Sequence, residues 1–189
     1  MRIKSLLKPI ILNLALILLV YQSVFLLEIQ GDTWHYAWGH QIYYESNVFG
    51  KLSLQGMRSS LGGASLTYGL IQNNFGISGS VHYPISIALK FLTVIVFYLL
   101  VRKLTQNNFA SLIASFILSV TFAGVEATHW VFNMYAYIGL ILITLSILTG
   151  LEMPENYKFK KWLVSFILAC VGTWYATMRT NGIIPLILV

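Results

Sequence analysis

The chain has 189 residues, 57% of them hydrophobic and 10% charged, with a mean hydropathy of +0.74. So few charges cannot cover a soluble domain. The net charge of +6 does not indicate nucleic acid either, because the basic residues end apolar runs and do not form a stripe interleaved with aromatics. An integral membrane protein is expected; Cys170, the one cysteine, lies inside an apolar run and cannot form an intrachain disulfide.

In chain order, Arg2, Lys4 and Lys8 precede a run from 9 to 27 without a charged residue. At 1.5 Å per residue that run is about 28 Å long, enough to span. It is longer than a signal-peptide core and no small-x-small site follows, so an uncleaved first span with its N-terminus inside is expected. Residues 28–82 then form a long outer loop with Gly-rich and Ser-rich turns, carrying interfacial helices around 32–43 and 66–75. A second span covers 83–101, opened by Pro84 in its first turn and stopped by Arg102 and Lys103. Lys90 lies within it, close enough to the outer end to snorkel, which makes it either an anchor or a pocket cation. Further spans are expected at 109–125, 130–151 and 162–178, with a partial one at 183–189. Residues 126–129 and 179–182 form tight outer turns, and 152–161 an inner loop. The fold class is therefore all-α, a polytopic transmembrane helical bundle forming a single domain, expected to be incomplete at its C-terminus. Eight basic residues fall inside and four outside or near the outer boundary, in keeping with the positive-inside rule. The plasma membrane is the expected location.

This topology gathers chemistry on one face. All four histidines (His35, His40, His82, His129) and four of the six acids (Glu28, Asp32, Glu45, Glu126) fall on the outer side. Outer segments are also simply the longest polar ones, which accounts for part of the enrichment. The densest stretch runs from Glu28 to Ser46. If it is helical from Asp32, then Asp32, Tyr36 and His40 share one face at i, i+4 and i+8, while Trp34, Trp38 and Ile42 make a second, mainly apolar one. Such a helix suits the membrane–water boundary. Asp32 is the candidate general base, since a partly buried carboxylate can take a proton from a hydroxyl; it could equally cap its helix. Glu126 and His129, at i and i+3 in an outer turn, are candidates for binding substrate. Arg179 is a candidate for a phosphate group, for which its planar fork of donors is suited, or an ordinary boundary anchor. No metal motif is present: His35 and His40 are five apart, on different sides of a helix, and neither H-E-x-x-H nor a cysteine pair occurs. A divalent cation held by Asp32, Glu126 and a histidine stays open, and no other cofactor is expected. No Gly-rich phosphate loop, G-x-S-x-G elbow or dinucleotide fingerprint is present.

Two stretches carry a family likeness. Gly31-Asp32-Thr33-Trp34-His35-Tyr36 is similar to the acidic start of the first outer loop in the GT-C superfamily of polytopic glycosyltransferases, which includes protein O-mannosyltransferases and aminoarabinose transferases. Residues 66–76, LTYGLIQNNFG, followed by 97–104, FYLLVRKL, resemble that family's next helix and span ending. The order of parts over nearly the whole chain resembles it too, although Thr33 stands where many members have a second acid. The resemblance implies displacement at the anomeric carbon of a sugar carried on a polyprenyl phosphate. Asp32 would accept the acceptor's proton, and Arg179, with Lys90 or a histidine, would stabilise the leaving phosphate. Membrane lipid is the expected surrounding, nucleic acid is not a partner, and neither sugar nor acceptor is specified. Two other readings compete: a transporter or flippase of a lipid-linked precursor, and a non-catalytic subunit of a larger membrane enzyme.

Overall fold

The computed structural model describes residues 4–28, 67, 70–72, 74–76, 78–121, 134–151 and 158–176. Among them every regular element is helical and no strand occurs. The helices are α1 (Lys4–Val20), α2 (Gly79–Thr105), α3 (Asn108–Val120), α4 (Tyr135–Leu151) and α5 (Lys158–Ala176), with a 3-10 turn at Gln22–Leu26 after α1.

Of the described helices, α2, with 27 residues, is the one both long and apolar enough to cross a membrane. That supports membrane association. The apolar stretches Leu6–Val20, Asn108–Val120 and Tyr135–Leu151 are shorter. The run at 9–27 is thus α-helical only to Val20 and then tightens into the 3-10 turn, whose end is closed by Leu27 N–H on Val24 O. Helix α2 begins at Gly79, before the expected start at 83, which places Pro84 beyond the first turn and removes one interior backbone donor. The early start has a tertiary cause. A Cβ on Gly79 would lie 2.5 Å from Leu27 O, so the residue is docked against the end of the first apolar run. Tyr83 adds a hydroxyl bond to Glu28 O at 3.2 Å. Helix α5 likewise begins at Lys158, inside the stretch expected as an inner loop.

Helices α2 and α3 are joined by a two-residue turn. Gln106 takes a left-handed backbone, φ 53°, and its N–H caps Arg102 O. Asn107 then caps α3 by accepting from Phe109 N and Ala110 N at 2.9 and 3.1 Å. Arg102 and Lys103 sit in the last turn of α2, where the helix dipole favours cations. The described residues of 67–76 carry helical backbone and end at Gly76, φ 75°, whose N–H bonds Gln72 O.

The distribution of side chains in α3 is the reverse of that in a water-facing helix. Ser111, Ser115 and Ser119, at i, i+4 and i+8, are fully buried, while Phe109, Ile113, Ile117 and Val120 are exposed. The serines meet Asn13 of α1, also fully buried: Asn13 Nδ2 donates to Ser115 Oγ at 3.1 Å and to Pro9 O at 2.9 Å. Ser119 Oγ lies 2.8 Å from Asn13 Oδ1 and 2.9 Å from Ser115 O and shares its hydrogen between them. Hydroxyl and amide groups inside with large apolar groups outside is the arrangement expected where hydrocarbon, not water, is the solvent. Leu7, Ile11, Leu19 and Leu26 along the first helical run are similarly exposed.

Helices α4 and α5 approach more closely still. A Cβ on Gly172 would come within 2.8 Å of Ile143 Cγ1 and 3.1 Å of Gly139 O, so only glycine fits. Further along the same seam, Ser146 Oγ donates to Ser165 O at 2.7 Å and Ser165 Oγ to Ser146 O at 2.8 Å. The spacings 139–146 and 165–172 are both one heptad, the period of helices that cross at a shallow angle.

Candidate functional site

The core between α1, α2 and the start of α4 is built from Ile17, Tyr21, Val24, Tyr83, Ile87, Val94, Met134 and Tyr135. On α2 these fall at 83, 87 and 94, a continuous face with i, i+4 and i+11 spacing. Lys90 occupies the missing step of that face. Its side chain is 2% exposed, and the ammonium is turned into the bundle and not towards water. Because α2 starts at Gly79, Lys90 lies about 17 Å along the helix at 1.5 Å per residue, further from its start than in a helix opening at 83.

Two features make this burial tolerable. Lys90 Nζ donates to Tyr21 Oη at 2.6 Å and sits 4.2 Å from the centre of the same ring. The phenol in turn donates to Thr121 O at 3.4 Å, a long bond. Tyr21 follows the last residue of α1, and Thr121 follows the last residue of α3. Helix C-termini carry partial negative charge, and two of them are thereby linked to one cation. Polar neighbours on α2 complete the surroundings: Thr93 Oγ1 bonds Leu89 O at 2.9 Å and approaches Tyr137 O at 3.5 Å. Among the described residues no carboxylate pairs with Lys90. A buried cation supported by one phenol and dipole ends has capacity left for an anion, since an ammonium has three donors.

His82, next to Tyr83 in α2, is also fully buried. Its Nδ1 lies 2.8 Å from Ser78 O, which can only accept, so the hydrogen is on Nδ1. The ring ties the start of α2 to its own cap.

Of the residues proposed from sequence for catalysis or substrate binding, Lys90 is the one whose surroundings the structure describes. Asp32, Tyr36, His40, Glu126, His129 and Arg179 lie outside the described residues. Tyr21 and Asn13 were not candidates on sequence grounds. Each is a polar residue inside an apolar run, the available signal, but the partner that gives Tyr21 its role is 69 positions away on another helix. Among the described residues, no group of three or more histidine, cysteine, aspartate or glutamate side chains is placed to hold a metal ion.

No family model matches the chain, and neither a curated protein nor a solved structure does.

Proposed function

We propose that the chain is a polytopic membrane glycosyltransferase that moves a sugar from a polyprenyl-phosphate donor to an acceptor hydroxyl at the outer membrane face. The observation that carries the reading is Lys90, an ammonium held within an apolar helical core without a carboxylate partner among the described residues. An ionisable group kept at such a depth marks a functional site by default. A lipid-linked phosphate is an anion delivered by its own apolar tail, and so suits a cation reached from hydrocarbon. In the reaction the acceptor oxygen bonds to the anomeric carbon as the carbon–oxygen bond to phosphate breaks. Asp32 takes the acceptor's proton, and Lys90 and Arg179 offset the charge left on the lipid phosphate.

Asp32→Asn should abolish sugar transfer in membranes while leaving insertion and abundance intact, measured with a radiolabelled polyprenyl-phosphate sugar. Unchanged turnover would remove Asp32 from the mechanism, and no transfer by the unaltered chain would remove the glycosyltransferase reading.

The depth of Lys90 also favours a second reading, a transporter or flippase of a lipid-linked precursor, because transporters hold their ionisable residues near mid-membrane. In that case Asp32→Asn would leave lipid translocation intact and Lys90→Gln would stop it.

A further inference from the structure

The Lys90 ammonium has a neighbour that the reaction above leaves without a part. Tyr21 is 3% exposed, and three helices meet at its hydroxyl. The residue follows the end of α1; its oxygen accepts from Lys90 Nζ of α2 at 2.6 Å; and its hydrogen is directed at the carbonyl of Thr121, just after α3, at 3.4 Å. These two bonds are unequal. The first is short and has a charged donor, whereas the second lies at the far limit for a hydrogen bond. A hydroxyl hydrogen held so weakly at Thr121 turns by rotation about the C–O bond alone, with the ring and its contact to Lys90 left in place.

Charge decides which acceptor it would turn to. Lys90 Nζ and Tyr21 Oη are donors on adjoining atoms in an apolar core, and the acceptor now serving the phenol is a neutral backbone carbonyl. An oxyanion accepts from both, and bonds to a charged acceptor are roughly twice as strong as neutral ones. Because both side chains are buried, such an anion reaches them by displacing apolar groups. Met134, 1% exposed in the same core cluster, is unbranched and adapts its shape readily. A core of this kind admits an anion that carries an apolar tail and resists one that is fully hydrated.

We propose that Tyr21 is a second ligand of the lipid-linked phosphate, its O–H and the Lys90 ammonium donating to oxygens of one phosphate group. The proposal rests on the reading of Lys90 as the site of that phosphate, and adds to it a neutral donor turned away from Thr121 when the phosphate arrives.

Native mass spectrometry of the purified intact chain, titrated with decaprenyl monophosphate and separately with uncharged decaprenol, tests both statements. The unaltered chain should prefer the phosphate, and Lys90→Gln should remove the preference. Tyr21→Phe should weaken phosphate binding about ten-fold, the loss of one hydrogen bond to a charged group, and leave decaprenol binding as it was. Replacing Tyr21 with 3-fluorotyrosine, a stronger donor and a weaker acceptor, should tighten phosphate binding. If Tyr21 only holds Lys90 in place, fluorination weakens binding instead, and that result overturns the proposal. An unaltered phosphate affinity in Tyr21→Phe overturns it too, as does an equal loss of both ligands, which is a packing effect; in each case Lys90 keeps its role. A preference for phosphate that survives Lys90→Gln, or is missing from the unaltered chain, overturns the reading of Lys90 and the proposal together. An excess of inorganic phosphate should not compete; displacement by it would make water the source of the anion and overturn the lipid-linked ligand.

Discussion

Helices α1 and α3 are joined through side chains, whereas α4 and α5 are joined through backbones. In the first pair the Asn13 amide reaches across to Ser115 and Ser119, each of which also bonds the backbone of α3. In the second pair Gly172 lets one backbone lie against Gly139 and Ile143, and the Ser146–Ser165 exchange only fastens a contact that close packing has already made. Between apolar helices in hydrocarbon there is no water to expel, so association depends on packing and on interhelical hydrogen bonds. The two pairs separate those contributions. A joint made by packing should be sensitive to added volume, and a joint made by an amide to its removal.

The largest effect is expected at Gly172. Gly172→Val places methyl groups where backbone atoms of α4 already lie, and overpacking of this kind costs about 3 kcal/mol at the upper end of its range. Thermal unfolding in detergent should show α5 loosened first, read as faster proteolysis of the residues after Leu151. An unaltered melting temperature would mean that the helices are not held at this distance. Asn13→Leu comes next. Ser115 and Ser119 keep their backbone acceptors, so the loss is confined to the cross-helix bonds and should be about 1 kcal/mol, within the range found for polar contacts between membrane helices. A more stable variant would show that Asn13 serves something other than the α1–α3 joint. The smallest effect is at the serine exchange. In a double-mutant cycle of Ser146→Ala and Ser165→Ala, measured by denaturant titration, the coupling should be about 0.6 kcal/mol. A coupling as large as the Gly172 effect would erase the distinction between the two joints.

How much of this was legible in the sequence depends on the range of the determinant. The helices themselves follow from apolar runs, and α2 carries Arg102 and Lys103 in its last turn before ending at Thr105. The turn after it needed only Gln106 and Asn107, local residues with local roles. The start of α2 was not legible, because Gly79 and His82 look like loop residues and Pro84 like a helix opening; the docking of Gly79 on Leu27 extends the helix upstream. The serine face of α3 has a visible period of four, yet in an apolar run its direction depends on the solvent, and Asn13 is the residue that shows which way it faces. Lys90 stood out as the one charge within a span. What sequence could not supply was its burial, or its partner Tyr21, brought in by the packing of α1. For Asp32, Tyr36, His40, Glu126, His129 and Arg179 the expectations rest on residue type and position in the outer turns.

The docking of Gly79 against Leu27, with the Tyr83 bond to Glu28, has an architectural meaning. The first helical run ends at Glu28 beside the residue at which α2 begins, Gly79, so the two ends of the connection between them lie together. The entropy of closing such a loop rises only as the logarithm of its length. A change in the length of that connection therefore costs little in closure entropy. The frame that holds Lys90 and Tyr21 is pinned where the two ends meet, and sets no length for the chain between them.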